Sequence, residues 1–151
     1  MSQVPLLTAT TAPADSRATL AQIQGAFGTV PAMFAAVAHS PAALASMWAG
    51  FGALGGGKLP AVLGEKLAVA IADRNRCNYC LAAHTALGRK AGASAAEMTQ
   101  AQAGESDDPA TAAALAFALE LVERRGQVDP ERIAALRAQG FDDAAVVEVI
   151  A

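Results

Sequence analysis

The sequence predicts an all-α protein, and three observations support this fold class. From Asp15 onward, nearly every segment has apolar residues at the three- and four-residue intervals of a helix, and no segment alternates with a period of two over a useful length. Proline and glycine separate these segments at positions that are typical of helix starts and stops. Alanine occupies 40 of the 151 positions, and it is the residue with the highest helix propensity.

Each helix is located by the signals at its two ends. Proline opens several of the predicted helices, because the first helical turn tolerates a residue without an N–H. Asp15 or Ser16 is the expected cap of the first helix, and Asp142 is that of the last. Glycine follows most of the helix ends. The predicted helices cover residues 15–27, 31–39, 41–54, 60–73, 76–90, 94–104, 109–125, 130–139 and 142–150.

A chain of 151 residues suits one domain. Residues 1–14 lack a helical period and are predicted to form an N-terminal arm, and residues 15–151 are predicted to form one helical domain. The last helix ends on apolar residues without a stop signal, so we expect it to be truncated at the C-terminus. Leu, Ile, Val and Phe contribute only 33 residues, which is just above the level at which a globular core becomes doubtful. We therefore expect a homo-oligomer.

The charge and hydropathy patterns exclude several classes of function. A net charge of −3 argues against a surface that binds nucleic acid or anionic membranes. No apolar run exceeds about eight residues, so no segment is long enough to span a bilayer. The first residues lack a basic region followed by an apolar block, which predicts a cytoplasmic protein without a secretory signal.

The two cysteines carry the clearest chemical signal in the sequence. In a chain without an export signal, the spacing of Cys77 and Cys80 indicates redox chemistry or metal binding sooner than a structural disulfide. On one helix their Cα atoms would lie about 5 Å apart, within the range that a disulfide accepts. His84 would follow Cys80 by one turn on the same face and could take its proton.

A helix N-terminus at these cysteines would stabilise a thiolate, with Asn75 as the expected cap. This effect favours Cys77 as the more acidic thiol, whereas the position of His84 favours Cys80. We assign the nucleophile to Cys80, because a base in contact acts directly and the helix dipole weakens within one turn. A thiolate, a base and a second thiol are the components of a dithiol peroxidase or a disulfide reductase.

Glu65 is the fourth candidate residue, because its predicted helix places it on an apolar stripe. The residues three, four and seven positions away are Ala61, Val62, Ala68, Val69 and Ala72. A carboxylate among apolar residues is costly unless it is paired or used. Since a very short turn joins helices 60–73 and 76–90, we expect them to pack together and to bring Glu65 near the cysteine face.

The residues alone leave other interpretations of the dithiol open. Cys77, Cys80 and His84 could be part of a metal site, although structural zinc usually has four ligands. The cysteines could also be an inert pair. A third hypothesis is a non-enzymatic helical oligomer whose dithiol senses oxidation and alters a contact with a partner.

The spacing of the four candidate residues resembles a known signature. Cys77 follows Glu65 by twelve residues, Cys80 follows by three more, and His84 by four more. This pattern resembles the AhpD-like proteins of the carboxymuconolactone decarboxylase family, and the run Arg76-Cys77-Asn78-Tyr79-Cys80-Leu81-Ala82-Ala83-His84 is similar to the central helix pair of that family. The resemblance is strong over residues 60–92 and looser over 31–54 and 105–150.

The resemblance implies an all-helical fold, obligate oligomers that are often trimers or hexamers, and alkylhydroperoxidase-type chemistry. No cofactor or bound metal is expected. The resemblance also implies that a hydroperoxide oxidises Cys80, that His84 is the base and that Glu65 completes a proton relay. Cys77 would then form a disulfide with the oxidised sulfur, and a dithiol, for example on a lipoyl protein, would reduce that disulfide. Tyr79 stands where the best-studied members have histidine. Decarboxylase members lack the paired cysteines, so lactone decarboxylation is not expected.

Overall fold

The computed structural model describes residues 3–151, which form nine α-helices and no β-strand. The predicted all-α class is confirmed. Residues 1 and 2 of the predicted arm lie outside the described residues, and residues 3–13 contain no helix. The helices are α1 (Ala14–Phe27), α2 (Ala32–Val37), α3 (Pro41–Gly55), α4 (Ala61–Arg74), α5 (Asn78–Lys90), α6 (Ala95–Ala103), α7 (Pro109–Glu123), α8 (Pro130–Ala138) and α9 (Asp143–Ile150).

Local capping interactions account for most helix starts. The side chain of Asp142 accepts a hydrogen bond from the Ala145 N–H at the start of α9, as predicted. The predicted cap of α1 is wrong, because Pro13 precedes that helix and no side chain caps it. Ser16 is instead buried, and its Oγ donates to the Ala38 carbonyl at 2.8 Å. Helix α1 begins at Ala14, so Asp15 and Ser16 lie within its first turn rather than at its N-cap.

The described residues divide into two compact units. The first ends at Gly56 and the second comprises Gly57–Ala151. The division of the chain into an N-terminal arm and one helical domain stays a prediction. The expected C-terminal truncation also stays a prediction. Within residues 3–151, none of the helices has the length and apolar character needed to cross a bilayer.

In the first unit, α1 and α2 both pack against α3. Phe34 lies at its centre and makes edge contacts with Trp48 and Phe51. The indole N–H of Trp48 donates to Gln22 at 3.0 Å. The buried residues of this core are Ala12, Leu20, Ile23, Phe34, Ala38 and Leu44.

In the second unit, α4 is the central helix, because α5, α6 and α7 all pack against it. Helix α7 in turn contacts α8 and α9. The core contains small alanines beside larger residues, so neighbouring helices approach closely. Its largest fully buried side chains are Val69, Leu115, Phe117 and Leu136. The candidate residues lie at the contact between α4 and α5.

Candidate active site

The turn between α4 and α5 shapes the start of the cysteine helix. Asn75 ends α4 rather than capping α5. Arg76 has a left-handed backbone with φ of 54°, which breaks the helical path. Helix α5 therefore begins at Asn78, and the prediction of a helix from residue 76 is wrong over its first two residues. Cys77 is the N-cap, and its sulfur accepts a hydrogen bond from the Cys80 N–H at 3.3 Å.

Cys77 and Cys80 are joined by a disulfide bond, with their Cα atoms 5.3 Å apart. This separation agrees with the spacing expected from the sequence, although only Cys80 lies within the helix. Both cysteines are partly buried, and the two residues between them, Asn78 and Tyr79, are exposed. The disulfide therefore lies just below the surface at the N-terminus of α5.

His84 lies one turn after Cys80 on α5, and Glu65 approaches it from α4. The distance between His84 Nδ1 and Glu65 Oε2 is 2.8 Å. Their side chains are 29% and 23% exposed, respectively. The structure thus places Cys80 and His84 on α5, Cys77 at the N-cap of that helix, and Glu65 beside His84 on α4. Because Glu65 is paired and partly solvated, it escapes the cost of a carboxylate buried alone.

The contact with Glu65 determines which nitrogen of His84 can act as a base. A carboxylate only accepts hydrogen bonds, so it favours the tautomer with the proton on Nδ1. In the neutral ring, Nε2 then carries the lone pair. His84 follows Cys80 by four residues, and residues at this interval share a helix face. The arrangement suits proton transfer between the Cys80 thiol and Nε2.

A second ion pair connects α4 to α6, and its lysine is the next residue after Glu65. Lys66 follows Glu65 in the chain, is 7% exposed, and donates to Glu97 Oε1 at 2.8 Å. Glu97 also accepts the backbone N–H of Ser94, whose hydroxyl accepts the Glu97 N–H. The Lys66 ammonium, followed by the Ser94 hydrogen bonds, lowers the pKa of Glu97 to about 2. No sequence signal marks Lys66, because a lysine on a helix face is ordinarily solvated.

Comparisons with known proteins address the family and the fold of this chain. A model of the carboxymuconolactone decarboxylase family matches residues 41–124. A search of curated proteins found no match. Among solved structures, one similar chain is an alkylhydroperoxidase AhpD core from Ralstonia eutropha JMP134, described as an uncharacterized peroxidase-related protein. It is 28% identical with a TM-score of 0.86, over 98% of this chain and 80% of that chain.

A second similar structure is an uncharacterized peroxidase-related protein from Silicibacter sp. TM1040. It is 21% identical with a TM-score of 0.83, over 99% of this chain and 80% of that chain. At this identity it supports the fold alone. The family match covers more than half of the sequence and includes all four predicted site residues, Glu65, Cys77, Cys80 and His84. The chain therefore belongs to the carboxymuconolactone decarboxylase family, and its fold is that of the AhpD-like members.

Proposed function

We propose that this protein is a thiol-dependent peroxidase that reduces hydroperoxides through a Cys77–Cys80 dithiol–disulfide cycle. The observation that carries the proposal is the Cys77–Cys80 disulfide one turn before His84, whose Nδ1 is bonded to Glu65. The similarity to the AhpD core of Ralstonia eutropha JMP134 supports the same class of reaction.

In the first step, Nε2 of His84 takes the proton of the Cys80 thiol. The thiolate attacks the terminal oxygen of the hydroperoxide, the O–O bond breaks, and Cys80 becomes a sulfenic acid. The leaving alkoxide takes the proton from the imidazolium and departs as an alcohol. Glu65 stabilises the imidazolium between these two transfers, because its carboxylate accepts the Nδ1–H.

In the second step, the Cys77 thiolate attacks the sulfur of the Cys80 sulfenic acid. The S–O bond breaks, the oxygen leaves as water with the Cys77 proton, and the disulfide forms. The N-cap position of Cys77 supports this role, since the Cys80 N–H and the helix N-terminus both stabilise a thiolate there. The helix dipole therefore assists the resolving cysteine rather than competing with His84.

In the third step, an external dithiol reduces the disulfide and becomes a disulfide itself. One of its thiolates forms a mixed disulfide, and its second thiol releases the protein. A protein-bound lipoyl group has this chemistry. The position of the disulfide close to the exposed Asn78 and Tyr79 is consistent with access by such a partner.

Steady-state peroxide consumption tests the proposal. Reduced protein is mixed with an organic hydroperoxide and either dihydrolipoamide or a monothiol at equal thiol concentration. We expect many turnovers per chain with the dithiol, and none with the Cys77→Ser/Cys80→Ser double variant. Consumption of one peroxide per chain followed by arrest with every reductant would instead indicate a redox sensor and would overturn the enzymatic proposal.

A further inference from the structure

Gly88 lies at the closest approach of α5 to its neighbours. It is the buried residue of α5 and stands four positions after His84, on the same helix face. A Cβ atom at this position would lie 2.5 Å from Met98 Cε, 2.6 Å from Met98 Sδ and 3.3 Å from Glu65 Cβ. The first two distances are shorter than those that Cβ atoms make with other heavy atoms in proteins. The third is shorter than an ordinary van der Waals contact. The absence of a side chain therefore permits α5 to lie this close to Met98 of α6 and to Glu65 of α4.

The position of Glu65 depends on this approach. Its Cβ lies against Gly88, and its carboxylate reaches His84 one turn earlier on α5. Behind Gly88, Met98 of α6 is only 3% exposed, so its side chain has little room to withdraw. A larger residue at 88 would move α5 away from α4 or displace Met98, and the first response lengthens the bond between Glu65 and His84.

We infer that Gly88 is a positioning residue: by bringing α5 against α4, it holds the Glu65 carboxylate on Nδ1 of His84 and so keeps Nε2 available as the base. The inference rests on the proposed function for its effect on rate, but its effect on His84 is independent of activity. Glycine is unfavourable in a helix interior, so the close packing explains a residue that helix propensity alone disfavours.

Gly64 provides a matched control on the facing helix. It lies within α4, beside Glu65, and a Cβ there would meet no heavy atom within 4 Å. Gly64→Ala therefore makes the same chemical change as Gly88→Ala, in the same pair of helices, without the close contact.

The first measurement is the tautomer of His84 in the reduced protein, from its imidazole ¹⁵N chemical shifts at a pH where the ring is neutral. The chain has two histidines, so the His84→Gln variant assigns the signals. We expect the Nδ1–H tautomer in the wild type and in Gly64→Ala. In Glu65→Ala we expect a mixture of the two His84 tautomers. In Gly88→Ala we expect the tautomer populations to shift towards that mixture. A His84 spectrum unchanged by Gly88→Ala would overturn the inference.

The second measurement is the rate at which one equivalent of hydroperoxide oxidises the reduced protein. We expect Gly88→Ala to slow this step roughly fivefold, because small displacements of catalytic groups are costly. Adding Gly88→Ala to Glu65→Ala should have no further effect, since the two changes act through one interaction. In Gly88→Ala/Met98→Ala, the space vacated by Met98 should restore the rate to that of Met98→Ala alone.

These outcomes separate the inference from the proposed function. If Gly88→Ala slows the wild type and Glu65→Ala equally, Gly88 is only structural and the inference is wrong. If the wild-type protein reduces no hydroperoxide, the proposed function fails, and the tautomer measurement still decides whether Gly88 positions Glu65.

Discussion

At the scale of single residues, the pairing of Glu65 with His84 determines which ring nitrogen can accept a proton. A neutral glutamine at position 65 retains the shape of the side chain but cannot stabilise an imidazolium as a carboxylate does. We therefore expect Glu65→Gln to lower the rate of peroxide reduction by at least about tenfold, since a positioned acid–base group contributes roughly 10²- to 10⁴-fold. Since Glu65 is partly exposed, the change should affect folding much less.

Single-turnover oxidation and thermal unfolding of Glu65→Gln check this prediction together. Glu105→Gln, at an exposed position in the loop before α7, is a suitable control. Full activity in Glu65→Gln would mean that Glu65 is a structural carboxylate. A loss of activity accompanied by an equal loss of folded protein would also contradict the predicted role.

The sequence predicted the proximity of Glu65 and His84 because helical spacing and a short turn are local properties. It did not predict the left-handed backbone of Arg76, because arginine carries no preference for that conformation. Gly88 was missed for a different reason. Its close neighbours come from α4 and α6, so only the packed helices reveal why a side chain is excluded.

At the scale of secondary structure elements, the ion pair between Lys66 of α4 and Glu97 of α6 can be tested through the pH dependence of stability. The pKa of Glu97 is about 2 in the folded protein, below its ordinary value of 4.5. The pair therefore contributes its full stabilisation above pH 4.5, and this contribution is lost as the pH falls towards 2. Glu97→Gln should reduce the pH dependence of the free energy of unfolding across this range.

Urea unfolding of the wild type and of Glu97→Gln at several acidic pH values measures this slope. Some slope should persist in the variant, because hydrogen bonds also lower the pKa values of Asp108, Glu120 and Asp142. An equal slope in both proteins would show that the Lys66–Glu97 contact does not form in solution. Glu131→Gln, an exposed change in the first turn of α8, controls for the loss of one carboxylate.

A local cap made the start of α9 predictable, whereas the local cap of α5, Cys77, was not expected. Asp142 caps the helix that the sequence assigned to it, because the hydrogen bond spans only three residues. The cap predicted at Asp15 or Ser16 is wrong because α1 already begins at Ala14, and Ser16 instead donates to the Ala38 carbonyl, 22 residues away. Contacts of this kind depend on tertiary structure and leave no short-range pattern.

At the scale of the whole molecule, we expect the protein to be an oligomer at micromolar concentration. Large apolar side chains remain exposed in each unit, including Phe51 and Leu54 in the first and Val147 and Ile150 in the second. Association would remove such surface from water. Sedimentation equilibrium should therefore give a mass that is a multiple of 15.2 kDa, whereas a single species at the monomer mass would contradict this expectation.

The family was predictable from the sequence because four residue types at fixed spacing are specific, and the comparisons confirm it. The large apolar residues predicted a helical core but not which of them stay exposed. That distinction depends on how the helices pack, as in α9, where Val146 is buried and Val147 is not.

The central claim is that Cys80 is the sulfur oxidised by the hydroperoxide and that Cys77 resolves it. Intact-mass analysis of the two single-cysteine variants, after one equivalent of hydroperoxide with a sulfenic-acid trap of the dimedone type, tests this claim most directly. Cys77→Ser retains the thiol that shares a helix face with His84. It should therefore form one trapped adduct per chain, with some sulfinic acid at excess peroxide. Cys80→Ser should stay unmodified.

An adduct on Cys77 in Cys80→Ser, with none on Cys80 in Cys77→Ser, would mean that the two roles are reversed. If both variants stay unmodified while the wild type also fails to form its disulfide with peroxide, the peroxidase account is wrong. We expect an adduct only on Cys80, in the Cys77→Ser variant.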